Sequence, residues 1–268
     1  MSGRNMTNDH GTEPGPLLSV VIPAYNEADN VSRGVLRKTI DFLAAKQFQS
    51  ELIVVDDGSS DETAALIRKH HPTVKLIASR HEGKAASVRK GMLQATGEYA
   101  LFMDMDLATP VSHIDDCLAK LADGYDVVIG SRQLKGSRRV GDPPGRRLAA
   151  MIFSMVVRAL LLPGIRDTQC GFKAFRRSAA QEIFSQLQVF SPHAQVNGPR
   201  VTAFDVELLL LARSRGFRIA EIPISWRHVP TQRVALLSES PRMLGEVVAV
   251  WWKYRTGKYD FDSGKRNS

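Results

Sequence analysis

Two aspartates, Asp104 and Asp106, stand one residue apart where the apolar run Leu101-Phe102-Met103 breaks off, and Pro110 opens a new element soon after. A short apolar run bounded by breakers predicts a buried parallel strand. In open α/β sheets, ligands collect beyond the carboxyl ends of such strands. Two carboxylates there can hold a hard divalent cation, Mg²⁺ or Mn²⁺. Magnesium is commonly bound through one or two carboxylates together with substrate phosphates. Asp56 and Asp57 take the equivalent place after the run Glu51 to Val55, where a carboxylate can accept a base N–H or ribose hydroxyls. Asp-x-Asp also occurs in ordinary solvated loops, so its meaning depends on the rest of the chain.

The elements that must carry these residues alternate. Leu18 to Ile22 predicts a strand ended by Pro23, then Tyr25, Asn26 and Glu27 in a loop, then a helix through Val31, Val35 and Ile40 to about Lys46. The loop lacks the G-x-G-x-x-G of a dinucleotide site. It offers instead an aromatic ring, an amide and a carboxylate suited to a base, with Asn26 also able to cap the helix. After the second strand, Ser59 and Glu62 have the spacing of a capping box for a helix to His70. Strand Val74 to Ala78 leads through Gly83-Lys84 into a helix from Ala85 to Thr96. A P-loop is excluded, because Ala78 and Ala85 stand where Gly and Ser or Thr are required. Lys84 and Arg89 near that helix start can still meet a diphosphate. Helix Val111 to Ala122 and strand Tyr125 to Ile129 complete the alternation, which predicts an α/β fold with a mostly parallel sheet.

The 268 residues are 43% hydrophobic and 24% charged, enough for a full core. Two cysteines outside any CxxC pattern support neither a disulfide framework nor a zinc site. The net charge of +8 points to anionic partners, but no nucleic-acid motif accompanies it. Residues 1–16 read as a disordered leader without the apolar stretch of a signal peptide, residues 17–259 as one domain, and residues 260–268 as a polar tail. No apolar run reaches the ~18 residues of a spanning helix. A basic loop, Gln133 to Arg147, adjoins an apolar helix, Leu148 to Leu162. A last amphipathic helix, Pro241 to Tyr259, carries Trp251-Trp252-Lys253. Aromatics beside cations suit an anionic membrane surface, which predicts a cytoplasmic protein held peripherally at the inner face of the membrane.

Val21-Ile-Pro-Ala-Tyr-Asn-Glu27, Val54-Val-Asp-Asp-Gly-Ser-Ser-Asp61, Gly83-Lys-Ala85 and Asp104-Met-Asp106 come in the order and rough spacing of family 2 glycosyltransferases, which the chain resembles. The resemblance implies the GT-A fold, a Rossmann-like nucleotide-sugar-binding architecture, with Pro23, Tyr25, Glu27, Asp56 and Asp57 around base and ribose. Lys84 belongs with the donor. Asp104 and Asp106 would hold ribose and metal-bound diphosphate. In the related dolichyl-phosphate mannose synthases a Gln two places after the second Asp helps ligate the metal. Here that position is Ala108, leaving fewer protein ligands or a contribution from Thr109.

The string Asp167-Thr-Gln-Cys-Gly-Phe-Lys173 narrows the resemblance to polyprenyl-phosphate glycosyltransferases, dolichyl-phosphate β-glucosyltransferases above all. It implies Asp167 as the catalytic acceptor-side carboxylate beside Gln169 and Lys173. Asp205 and Glu207 would face the sugar, with Arg132 and Arg233 at the acceptor phosphate. The implied reaction is inverting transfer of a hexose, glucose from UDP-glucose first, onto a polyprenyl or dolichyl monophosphate. GDP-mannose as donor, a soluble hydroxyl acceptor, and a nucleotide-sugar sensor are the alternatives. A lipid phosphate is already an oxyanion at neutral pH, whereas a hydroxyl would require Asp167 as general base.

Overall fold

The computed structural model describes residues 15–188, 202–229 and 236–259. Arg233, residues 1–14 of the expected leader and the expected tail lie outside the described residues. Along the chain come β1 (Leu18–Ala24), α1 (Ala28–Ser32), α2 (Val35–Ala44), β2 (Ser50–Asp56), α3 (Thr63–His70), β3 (Lys75–Ala78), α4 (Lys84–Leu93), β4 (Tyr99–Met103) and α5 (His113–Ala122). Then follow β5 (Val127–Ser131), β6 (Arg138–Val140), α6 (Pro144–Leu160), β7 (Phe172–Arg176), α7 (Arg177–Ser185), α8 (Phe204–Ser214), β8 (Ile219–Pro223), β9 (Ser225–Arg227) and α9 (Leu236–Arg255).

Among the described residues, seven strands form one sheet in the order β3-β2-β1-β4-β7-β5-β8. Only β7 runs against its neighbours, pairing antiparallel with both β4 and β5. Alternate residues of each inner strand feed two cores. Val21, Ile53 and Phe102 belong to one, and Val20, Val54 and Leu101 to the other. Both faces are covered by helices, which is why these strands read as continuous apolar runs.

The carboxyl ends of β1, β2 and β4 share one edge of the sheet. Antiparallel β7 begins there, because Phe172 pairs with Met103. The string Asp167 to Lys173 is thereby delivered beside Asp104.

Three local expectations are corrected. Pro23 lies within β1 instead of ending it, opposite Val55. Pairing of β1 with β4 stops at Val21, so no ladder partner on that side requires the missing N–H. The first long helix is broken into α1 and α2 at Gly34, whose φ of 76° is left-handed. The basic Gln133 to Arg147 segment is not all loop, since β6 pairs with β9 in a separate small sheet.

Candidate functional site

The edge built from β1 and β2 is tied together by its own polar groups. Asn26, at φ 53°, accepts the Ser60 N–H through Oδ1 at 2.8 Å, and its own N–H donates to Ser59 Oγ at 2.9 Å. The Glu27 N–H donates to Thr63 Oγ1 at 2.7 Å. Asn26 thus joins two loops and makes no side-chain cap on α1. Ser59 is likewise not the cap of α3: Asp61 Oδ1 accepts the Thr63 N–H at 3.0 Å.

Asp57 is caged. Its oxygens accept the N–H groups of Glu82 and Gly83, both at 2.9 Å, and meet His81 Nδ1 at 2.8 Å. The carboxylate therefore fixes the turn before α4, at the edge where base and ribose are expected. Asp56 is spent less completely, with Oδ1 accepting the Ser59 N–H at 3.2 Å. Tyr25 stacks on His81 with ring centroids 4.0 Å apart and planes 12° from parallel. Pro23, Tyr25, Glu27 and Asp56 all stand at this edge. Arg89 does not: its Nε donates to Phe184 O at 2.7 Å, holding the end of α7.

Beyond β4 the chain turns through Leu107, whose φ of 51° is unusual for a branched residue. Asp106 Oδ1 accepts the Ala108 N–H at 2.9 Å. Asp104 forms an ion pair with Lys84. Gly171 crosses so close that a Cβ there would lie 2.1 Å from Asp104 Oδ2. Burial would lower the Lys84 ammonium, but Asp104, Asp205 and Asp106 outweigh it and raise its pKa. The pocket therefore already draws positive charge, and its hard anionic oxygens suit Mg²⁺ or Mn²⁺. Among the described residues, no third His, Cys, Asp or Glu completes a metal-binding group with them. Ala108 contributes no side-chain ligand, and Thr109 beside it is buried.

On the other side of β7, Asp167 lies in a fork with Arg132. Oδ2 accepts Arg132 N and Nε at 2.9 and 2.7 Å, and Oδ1 accepts Nη2 at 2.9 Å. Burial alone would raise the Asp167 carboxyl; the guanidinium outweighs it and holds it below the usual range. To act as general base, a carboxylate so engaged would first have to release the guanidinium. Glu221 of β8 fixes this segment by accepting the N–H groups of Arg166 and Asp167 at 2.9 and 3.0 Å. The Gln169 N–H donates to Asp167 Oδ1 at 3.3 Å, while its buried Nε2 has no hydrogen-bond partner.

Arg132 opens onto a cavity of about 370 Å³ lined also by Gln133, Ser137, Arg139, Arg147 and Met151. Trp226 is close to two of the arginines, with its ring centroid 5.5 Å from Arg132 Cζ and 5.8 Å from Arg139 Cζ. Arg139 is paired with Asp142. Sequence reasoning assigned neither Arg139 nor Trp226 to the site. Their juxtaposition comes from the register of β6 on β9, where Arg139 faces Trp226, and three-residue strands leave no periodic signal.

Two further residues of the expected site are engaged from within the protein. Lys173 is fully buried; its ammonium donates to Cys170 O and to Asp205, so it holds the site from beneath. Burial raises the Asp205 carboxyl, and Lys173 only partly offsets this. Glu207 is fully buried. Its Oε1 accepts the Gln188 N–H at 2.8 Å and the Tyr259 hydroxyl at 2.9 Å, anchoring the residues after α9.

The model of Glycosyl transferase family 2 matches residues 19–184 of this chain. Among relatives, the dolichyl-phosphate beta-glucosyltransferase of Saccharomyces cerevisiae is 33% identical over 94% of this chain and 79% of its own. That of Dictyostelium discoideum is 32% identical over 92% and 77%. Among solved structures, glucosyl-3-phosphoglycerate synthase from Mycobacterium tuberculosis, in complex with Mn²⁺, UDP and glucosyl-3-phosphoglycerate, superposes with a TM-score of 0.61 at 19% identity. It covers 89% of this chain and 81% of that one. A mannosyltransferase from Pyrobaculum calidifontis in complex with GDP-Man and Mn²⁺ gives 0.55 at 19% identity, over 88% and 64%. At these identities the structural likeness is one of fold, the GT-A architecture.

Proposed function

This chain belongs to glycosyl transferase family 2, and from that premise we propose that it is an inverting hexosyltransferase carrying glucose from UDP-glucose to a polyprenyl or dolichyl monophosphate. The observation that carries the acceptor is the arginine-lined cavity. Arg132, Arg139 and Arg147 suit a phosphate, and Met151 on its wall belongs to α6, whose outer face is apolar. Such a cavity matches a charged head on a greasy chain better than a neutral sugar. The relatives named for dolichyl phosphate support the same choice.

The donor belongs at the β1–β2–β4 edge. There Asp104 and Asp106 would hold Mg²⁺ or Mn²⁺, which when bound would supply positive charge against the departing diphosphate. Lys84, on the same side, adds its own cation. Asp167 orients Arg132, and Arg132 in turn holds the acceptor phosphate. In-line attack from the acceptor side inverts the sugar, giving a β-linked glycosyl phosphate from an α-linked donor.

The acceptor's lipid calls for a membrane surface. No helix among the described residues is long and apolar enough to cross one. Of the ten exposed large apolar side chains among the described residues, five lie on α6 and four on α9, and these two helices pack together. Leu148, Met151, Ile152 and Met155 on α6 and Leu244, Val248 and Trp252 on α9 follow helical spacing. Arg158, Lys253 and Arg255 flank them. This face, laid on the inner leaflet, would bring the cavity to the lipid phosphate.

The test is transfer from labelled UDP-glucose or GDP-mannose, with Mg²⁺ or Mn²⁺, to a polyprenyl monophosphate in detergent or to 3-phosphoglycerate. Glucose recovered as a β-linked lipid phosphate is the expected result. Transfer only to the soluble acceptor, or only from GDP-mannose, overturns the assignment.

A further inference from the structure

Lys84 is the first residue of α4, where a cation opposes the helix dipole and loses stability. Its position is nonetheless tightly built. The preceding Gly83 has a φ of 91°, and its N–H donates to the caged Asp57 at 2.9 Å. The backbone is thus fixed, while the side chain of Lys84 is 36% exposed and that of Asp104 38%. The ammonium pairs with Asp104 and also feels Asp106 and Asp205. It thus engages Asp104, one of the two carboxylates that a divalent ion there would use.

We propose that Lys84 is a resident cation for the nucleotide-free site, displaced from Asp104 when a nucleoside diphosphate and its divalent ion enter together. This rests on the reading of Asp104 and Asp106 as ion ligands and deepens it. Without nucleotide, an incoming ion must compete with a tethered ammonium for Asp104. With nucleotide, the diphosphate supplies a second anionic partner to which Lys84 can turn, and Asp104 is released. Ion and nucleotide then bind with positive coupling, which is reciprocal by linkage. The device keeps a carboxylate cluster from standing uncompensated, or from filling with free metal, between turnovers.

The experiment titrates Mn²⁺ by electron paramagnetic resonance into full-length wild type, Lys84→Met and Asp104→Asn, each with and without UDP. Methionine keeps the length of the stem and removes a charge unfavourable to α4, so folding is preserved; circular dichroism checks it. Wild type should bind Mn²⁺ weakly alone and at least about tenfold more tightly with UDP, within the usual range of such coupling. Lys84→Met should bind Mn²⁺ alone at least about tenfold more tightly than wild type and lose most of the coupling. Asp104→Asn should bind poorly in every case. Equal Mn²⁺ affinity of nucleotide-free wild type and Lys84→Met, with coupling retained, overturns the role of Lys84 while leaving the ion site intact. Absence of Mn²⁺ binding to wild type even with UDP overturns the ion site itself.

Discussion

Asp167→Asn separates an anchoring role from a chemical one. The Asp167 side chain is 1% exposed and that of Arg132 12%, so the carboxylate cannot turn to water and the guanidinium reaches only the cavity. Asparagine keeps one acceptor oxygen but points an NH₂ group at the guanidinium, donor against donor, and removes the countercharge. Breaking a buried pair in this way costs roughly 3–5 kcal/mol. At roughly 2–4 °C per kcal/mol for a domain of this size, Tm should fall by roughly 6–20 °C. Arg132 lowers the carboxyl pKa in the folded state. The pair therefore contributes fully above the unfolded value near ~3.9 and is lost as pH falls through the folded one. Wild type and variant should differ by a constant amount above about pH 5 and converge in acid. Transfer should be lost while UDP affinity, measured by titration, stays unchanged, because Asp104 and Lys84 lie across β7. The double variant Arg132→Met/Asp167→Leu should regain only part of the thermal stability and no transfer, since an apolar pair removes the uncompensated charge but leaves the Arg132 and Gln169 N–H groups without their acceptor. Lost transfer with an unchanged Tm in Asp167→Asn would refute the reasoning and make the carboxylate a reacting group.

Asp106→Asn should abolish divalent-dependent transfer with little change in the thermal melt; equal wild-type activity in excess EDTA would dispose of the metal. The rate of transfer should rise with pH through the phosphate's second pKa near ~6 and then level off, whereas a further rise following a protein group would indicate a general base. The protein should co-sediment with vesicles rich in anionic lipid at low salt, each basic residue near the leaflet adding ~1 kcal/mol. It should be released as salt shortens the screening length from about 10 Å at 0.1 M to about 3 Å at 1 M. Met151→Glu with Val248→Glu should weaken this sedimentation, and failure of wild type to sediment at low salt would make the α6–α9 face something other than a membrane contact.

The alternation of strand and helix was legible because strands buried on both faces are continuous apolar runs, and their ends marked Asp56, Asp104 and Asp106 at once. What escaped were contacts made across long stretches of chain. Asp167 meets Arg132 from 35 residues away, and no local pattern announces that both of its oxygens are spent. Glu207 was assigned to the sugar by resemblance alone, and no local pattern announces its tie to Tyr259, 52 residues on. Ser59 and Glu62 had the spacing of a capping box, but Asn26 took Ser59 and Asp61 took the helix. Gly34 stood inside a helical pattern, and only its left-handed backbone shows the break. Spacing within one element was readable; the choice among several competent polar partners was made by the tertiary structure.

The acceptor side bears on the chemistry through what its carboxylates are already doing. Asp167 has given both oxygens to Arg132, Glu207 is buried against Gln188 and Tyr259, and Asp205 is buried and bound to Lys173. A hydroxyl acceptor needs a base within hydrogen-bond reach of the attacking oxygen, and each of these groups would first have to leave a partner that burial makes expensive to abandon. A phosphomonoester needs none, being ionised near neutral pH; it needs cations, and Arg132, Arg139 and Arg147 line one cavity. Antiparallel β7 makes the division workable. Its first residues bring Gly171 against Asp104 on the donor side. Its Lys173 reaches beneath both halves to Asp205, and the chain leading into it carries Asp167 to Arg132. One reversed strand thus couples a half-site rich in carboxylates, suited to metal and diphosphate, to a half-site rich in guanidinium, suited to an attacking phosphate.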